Sequence, residues 1–247
     1  MKSIQQLRGG WTPTDFSVMK HVEEDNIIVA SDVHIPYHNE RLTAQMLGTA
    51  ERRGAEAIVW LGDLMDNPTF SSWGQDDLST TFKRELKIAE GLIRLASTIV
   101  DRQYWSFGNH EARWMRKNGE QVDMELLANM AGLSDLVRSG HLVMSDHPSL
   151  LYRDDWYLTH PSTYGSVPLV VPGKLAELFS KNVVSAHAHH WGMGTSPTGR
   201  FTVIESGGLF NPLLVKYVQQ RVTTHRQWVG GYVALDRGVP TLFQEVK

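Results

Sequence analysis

The chain has no cysteine, so neither a disulfide framework nor a thiolate zinc site can hold it together. Any metal must be taken by His, Asp, Glu, Asn or backbone oxygen. The sequence also lacks an apolar run long enough to span a bilayer. Its opening stretch, Met1 to Trp11, is polar and has no apolar secretory core. The expectation is therefore a cytoplasmic protein without a membrane partner. Net charge is small, −3 over 247 residues, so no basic field draws the protein onto duplex nucleic acid. A nucleotide-sized substrate stays open. Repeats, low-complexity tracts and long linkers are missing as well.

What remains is an ordinary globular composition, 41% hydrophobic and 21% charged, enough for a sizeable core. Length alone allows one large α/β domain or two small ones. We expect one domain over residues 1–247, with its core at about 26–205, an N-terminal arm at 1–25 and further strands at 206–247. The first half reads β-α-β-α-β. Strands are expected at Asn26–Ala30, Ala57–Leu61 and Gln103–Phe107. A helix from about Leu42 to Arg53 is capped by Asn39 and stopped by Gly54. Helical spacing recurs over Phe82–Val100 and again from Leu126 to Val137. The second half is richer in strands: Leu142–Met144, Leu150–Tyr152 and Trp156–Thr159, then Asn182–Ser185, Phe201–Glu205, Tyr232–Leu235 and Thr241–Val246. One short helix, Pro172–Phe179, is expected among them. Two packed sheets with helices outside is the natural layering.

The chemistry-bearing residues fall where the apolar runs stop. Ser31-Asp32-Val33-His34 follows the first strand, Gly62-Asp63-Leu64-Met65-Asp66 the second, and Gly108-Asn109-His110-Glu111 the third. His160 follows Trp156–Thr159, and Ala186-His187-Ala188-His189 follows Asn182–Ser185. An α/β sheet delivers chemistry at the carboxyl edge of its strands. In an extended segment, residues two apart point the same way, so Asp32 with His34, and His187 with His189, can each bite one ion or flank a pair. A lone Asp between two ions can bridge them, the role assigned to Asp63. Singly, an Asp-x-His is a surface loop, a Gly-Asp is a turn, and a His-x-His satisfies backbone groups. Five clusters in order make the metal reading the stronger one.

This ordered set resembles the calcineurin-like metallophosphoesterase superfamily, whose pattern is Asp-x-His, Gly-Asp-x-x-Asp, Gly-Asn-His-Glu/Asp, a lone His and Gly-His-x-His. The opening is similar to stand-alone bacterial and phage-type members. The resemblance implies an α/β fold, a four-layer α/β/β/α sandwich of two packed mixed sheets flanked by helices. It implies two divalent metal ions, manganese first, with iron, zinc, nickel and cobalt as alternatives. One ion would take Asp32, His34 and His189, and the other Asn109, His160 and His187, with Asp63 between. His110 would donate a proton to the leaving group, oriented by Asp66, while hydroxide held between the ions attacks phosphorus.

The departures carry information. Protein phosphatases of the family follow the second motif with Arg-Gly and precede Gly-Asn-His-Glu with Arg. Here Asn67-Pro68 and Phe107 stand there, which counts against a phosphoprotein substrate. Ala186 stands where the family has Gly. The expected activity is hydrolysis of a small phosphodiester, of nucleotide or cyclic-nucleotide type. A phosphomonoesterase, nuclease or protein phosphatase is the alternative, and a silent metal-binding module a distant third. Arg113, Tyr164 and Trp73 are the candidate substrate contacts. Arg113 also has a plain reading as part of a solvated helix face, and Trp73 and Phe70 as aromatics capping the core. Oligomeric state is left open.

Overall fold

The computed structural model describes residues 19–70, 80–118, 122–215 and 228–245. In chain order its elements are β1 (Lys20–Val22), β2 (Asn26–Ala30), α1 (Glu40–Arg53), β3 (Ala57–Leu61), α2 (Phe82–Ala96), β4 (Arg102–Ser106) and α3 (Asn109–Asn118). There follow α4 (Met124–Met130), α5 (Ser134–Ser139), β5 (Leu142–Ser145), β6 (Ser149–Tyr152), β7 (Trp156–Thr159), α6 (Val170–Phe179) and β8 (Asn182–Ser185). The last strands are β9 (Trp191–Thr195), β10 (Thr202–Ser206), β11 (Gly231–Asp236) and β12 (Val239–Gln244).

The strands form two six-stranded mixed sheets, in the orders β12-β11-β2-β3-β4-β5 and β1-β6-β7-β8-β10-β9. In the first sheet β2, β3, β4 and β5 run parallel, with Val29 opposite Val59 and Val59 opposite Tyr104. Near-continuous apolar strands are what a sheet covered on both faces requires. The side-chain period of two then divides each strand between two cores. Ile28, Ala30, Ile58, Trp60 and Trp105 pack with α1 and α2 residues such as Leu42, Met46 and Ile93. Their neighbours Ile27, Val29, Ala57, Val59 and Tyr104 pack with Leu150, Trp156, Leu158, Val184 and Ile204 of the second sheet. On the far face of that sheet, Tyr157, Val183 and Val203 pack with Ala176 of α6. Helices, sheet, sheet, helix is the expected four-layer α/β arrangement.

The local reasons are visible in the caps. The Asn39 side chain accepts a hydrogen bond from the Leu42 N–H, and Gly54 ends α1 at φ +59°. The helical block after Leu126 is two helices, because Gly132 adopts φ +81° and breaks it. Three elements escape the sequence reading. The helix α3 has few apolar positions, β1 is three residues long, and β9 is an edge strand of sequence Trp-Gly-Met-Gly-Thr.

The topology then positions the chemistry. In each sheet the strands carrying a motif are parallel, β2, β3 and β4 in one, β7 and β8 in the other. Their carboxyl ends meet at one edge. Ser31 and Ser206, 2.9 Å apart through their hydroxyl oxygens, tie the two sheets together beside it.

Candidate metal centre

Asp32, His34, Asp63, Asp66, His110, His160 and His189 are buried at this edge. Their ligand atoms fall into overlapping groups: Asp32, His34 and His189; His34, Asp63 and His110; Asp63, His160 and His187. His34 joins the first group to the second, and Asp63 the second to the third. The Asp63 Oδ2 lies 3.3 Å from His160 Nε2, 3.7 Å from His110 Nε2 and 4.0 Å from His34 Nε2. On one side, Asp32 Oδ1 lies 3.1 Å from His189 Nε2 and 3.8 Å from His34 Nε2. On the other, Asn109 Oδ1 lies 3.2 Å from His160 Nε2.

The backbone at these positions is not extended. Asp32 (φ 49°), His34 (φ 49°), Asp63 (φ 51°), His187 (φ 75°) and His189 (φ 56°) all adopt the left-handed region. That corrects the expectation that each pair presents its side chains from a straight segment. Non-glycine residues there cost about 1–2 kcal/mol each, and such strain concentrates at functional sites. Ladder-like bonds hold the bends, from His34 N–H to the Asp63 carbonyl (3.0 Å) and from Ile35 N–H to the Leu64 carbonyl (2.9 Å). Ala186, the substitution for the family glycine, does not need a positive φ; the adjacent His187 carries it.

Two glycines are steric requirements. A Cβ on Gly62, which sits at φ +73°, would come 2.5 Å from His160 Nδ1, and a Cβ on Gly108 would come 2.2 Å from Asp63 Oδ1. The buried Glu111 carboxylate accepts hydrogen bonds from the N–H groups of Asp63 (2.9 Å), Met65 (3.1 Å) and Gly108 (2.9 Å). It thereby clamps the second motif to the third. The role of Glu111 is therefore structural.

Hydrogen bonds assign the tautomers. His34 Nδ1 lies 2.8 Å from Asp66 Oδ1 and His160 Nδ1 lies 2.9 Å from the Leu61 carbonyl. Each Nδ1 therefore carries a hydrogen, and Nε2 faces the cluster, where a cation would take the place of a second proton. The expected partnership of Asp66 with His110 is refined here. The Asp66 carboxylate serves His34 first, at 2.8 Å against 3.3 Å to His110 Nδ1, and it is the Asp66 backbone carbonyl that holds His110 Nδ1, at 2.6 Å.

Charge follows burial and neighbours. Burial opposes ionisation of Asp32, Asp63 and Asp66, but the surrounding imidazoles outweigh it and hold all three below the usual carboxylate range. Burial likewise opposes protonation of His34 and His160. Carboxylate partners outweigh it and push His34 up to about 10 and His160 up to about 9. Burial wins at His110 and His187, each pushed down to about 4. Three buried carboxylates thus draw protons onto imidazoles, positive charge that a cation supplies equally well. Asp32 Oδ1 and His34 Nε2 are buried without a hydrogen-bond partner, as expected of atoms meant for an ion. The donor set of carboxylate, imidazole and amide oxygen fits a divalent metal.

Of the candidate substrate contacts, Arg113 on α3 is half-buried with Nη1 3.2 Å from His110 Nδ1, while Arg116 and Lys117 are exposed. Tyr164 is 64% exposed, and its ring meets His187 edge-on at 5.8 Å. Trp73 lies outside the described residues. Phe70 takes the plain reading and packs on Phe82 at 5.1 Å. Two aromatic residues that were not singled out as site residues do meet the cluster. Phe210 lies 4.8 Å from the His34 ring and 4.6 Å from the His189 ring, and Trp228 lies 4.5 Å from His189. The available signal for Phe210 was its position just past Gly207-Gly208 at a strand end. Trp228 had no signal beyond its size.

The sequence model of the calcineurin-like phosphoesterase family matches residues 26–216. No curated protein matches the chain. Among solved structures, it is similar to YfcE, a phosphoesterase from E. coli, at 15% identity and TM-score 0.43, covering 89% of this chain and 92% of that one. It is similar to a dimetal phosphatase from Danio rerio at 12% identity and TM-score 0.43, covering 91% and 100%. A single mutant of Vps29 from Entamoeba histolytica gives 10% identity and TM-score 0.43, covering 89% and 98%.

Proposed function

The chain belongs to the calcineurin-like phosphoesterase family, and from that premise we propose that it hydrolyses a small phosphodiester of nucleotide or cyclic-nucleotide type, using two divalent ions. The observation that carries the dinuclear reading is the place of Asp63, whose Oδ2 stands between the His34 and His160 nitrogens. Asp32, His34 and His189 would hold one ion, Asn109, His160 and His187 the other, with Asp63 shared. When bound, such a pair supplies Lewis-acid charge at phosphorus and an activated water. Manganese is the favoured occupant.

The chain's own residues supply the rest. His110 presents Nε2 to the cluster, because its Nδ1–H is taken by the Asp66 carbonyl. In the free enzyme burial keeps this ring neutral. An anionic ester beside Nε2 acts the other way, so the proton arrives as the substrate binds and is then given to the leaving oxygen. The Asn109 amide donates to a phosphoryl oxygen, where charge develops. Arg113 is the one Arg or Lys among the described residues within bonding distance of the cluster's side chains. That modest cationic complement suits a singly charged diester better than a doubly charged monoester, and it supports the diester reading.

Initial rates on bis-p-nitrophenyl phosphate and p-nitrophenyl phosphate with added manganese separate the two. Preference for the diester is expected; clear preference for the monoester overturns the reading. His110→Gln and His110→Ala are expected to lower kcat on a poor leaving group by about 10²–10⁴-fold while sparing p-nitrophenyl esters. An unchanged kcat on the poor leaving group removes His110 as the acid.

A further inference from the structure

Behind the Phe210 and Trp228 rings, which pack on His34 and His189, lies a cavity of about 210 Å³ lined also by Glu245. We propose that this cavity receives the base of the substrate, a planar ring bearing an exocyclic amino group. The proposal rests on the reading of the centre as one for nucleotide-type esters and names the part of the ester that the ions do not touch.

Four observations carry it. The first is continuity with the centre. The Phe210 ring contacts both His34 and His189, and Trp228 contacts His189 and, at 5.6 Å, Phe210. A group lying against these rings on the cavity side is one aromatic ring away from the candidate ligands. The second is size. Pockets that enclose whole drug-sized ligands run to roughly 300–1,000 Å³; this one is ring-sized and suits a single arm of an ester.

The third is the floor. Gly208 and Gly230 line the cavity. A Cβ on Gly208 would come 3.1 Å from the Phe210 ring and 3.2 Å from Asp32 Cβ, and one on Gly230 would come 3.1 Å from Glu245 Oε2. The lack of side chains here lets the Phe210 ring and the Glu245 carboxylate close onto the backbone and so sets where the two walls stand.

The fourth is polarity. Glu245 is held in place, its Oε1 accepting from the Asn39 side-chain amide at 2.8 Å and its N–H donating to the Gly230 carbonyl at 3.0 Å. Oε2 is the oxygen left over the Gly230 floor. A carboxylate at the end of an aromatic slot repels a second phosphate and accepts from an amino group, as carboxylates do from the amino group of cytosine. Aromatic faces supply stacking, which any base can use, and the carboxylate adds selectivity.

The test uses the full manganese-loaded chain and the pair cytidine and uridine, which differ at the ring position in question. Both are titrated by calorimetry and as competitive inhibitors of whichever p-nitrophenyl ester the protein turns over. Cytidine is expected to bind about fivefold or more tightly than uridine. Trp228→Ala should weaken cytidine about tenfold, Trp228→Phe much less. Glu245→Gln should bring cytidine level with uridine. Equal binding of the two nucleosides by the unaltered protein overturns the proposal, as does cytidine binding that neither Trp228→Ala nor Glu245→Gln moves. Monoester preference together with the cytidine pattern overturns the diester reading and leaves the pocket standing.

Discussion

Gly108→Ala is the most searching single substitution that the geometry offers. Gly108 does not adopt a positive φ, so alanine is acceptable to the backbone and the effect is purely steric. The added Cβ would stand 2.2 Å from Asp63 Oδ1 and 2.5 Å from Asp63 N. Normal contact requires a retreat of about 1 Å or more on the Asp63 side. Asp63 cannot retreat freely. Its Oδ1 accepts from His110 N–H at 2.8 Å, and its N–H donates to Glu111 at 2.9 Å. Overpacking costs about 1–3 kcal/mol, and losing one bond to a buried carboxylate about 1.5–3 kcal/mol, for a sum of about 2.5–6 kcal/mol. Displacing the carboxylate between the two candidate ion positions by about 1 Å should lower kcat about 10²-fold. Gly192→Ala is the control, since a Cβ there meets nothing within 4 Å. Urea denaturation, manganese titration and steady-state kinetics on both variants read the outcome. Wild-type stability, manganese affinity and rate in Gly108→Ala would refute the argument that this glycine exists to admit Asp63.

Three further outcomes are expected. Burial, with Asp66 nearby, pushes the Glu85 carboxyl up from 4.5 to about 8, against the opposing bond from Asn67 N–H. The folded state therefore keeps this proton after the unfolded chain has lost it, so stability falls as pH rises from about 4.5 to about 8 and is level beyond. Glu85→Gln, which carries no charge, should match the parent near pH 4.5 and exceed it by a few kcal/mol above pH 8; a pH-independent difference in urea midpoints would contradict this. Chelation should lower Tm and manganese restore it, because three buried carboxylates lose their cations, with a shift of about 2.7 kcal/mol when free metal is 100 times its Kd. Asp63→Asn should lower bound manganese from two ions per chain, measured by elemental analysis after gel filtration, and two tight ions retained would remove Asp63 as the bridge.

The strands were the most legible part of the fold. Asn26–Ala30, Ala57–Leu61, Trp156–Thr159 and Asn182–Ser185 have the same limits in sequence and structure, because unbroken apolar runs must be buried on both faces. The α1 limits were legible through Asn39 and Gly54, whose side chain and left-handed turn act locally. Elements held by tertiary context were not. The edge strand β9 contains two glycines, and α3 buries mainly His110, Glu111 and Trp114. At the centre, motif order showed which residues would meet. It did not show their left-handed backbone, because φ leaves no mark on an Asp or His as it does on a Gly. Phe210 and Trp228 were hidden for another reason: they are brought to His189 from different segments, and no spacing records that meeting.

That left-handed backbone has a consequence for how such a protein diversifies. A straight strand that supplies a ligand commits its next few residues to the sheet. A corner releases them. After Asp32–His34, after Asp63, and after His187–His189, the chain leaves in a new direction. Past the residues that tie back to the centre, Ile35, Met65 and Asp66 among them, the segments are free to vary in length and composition without moving the donors. Hinged in this way, the centre is a fixed hub with replaceable spokes. Exchanging residues 212–227, beyond the Leu209 N–H that bonds the Asp32 carbonyl, should change what is recognised and leave the hydrolytic chemistry where it is.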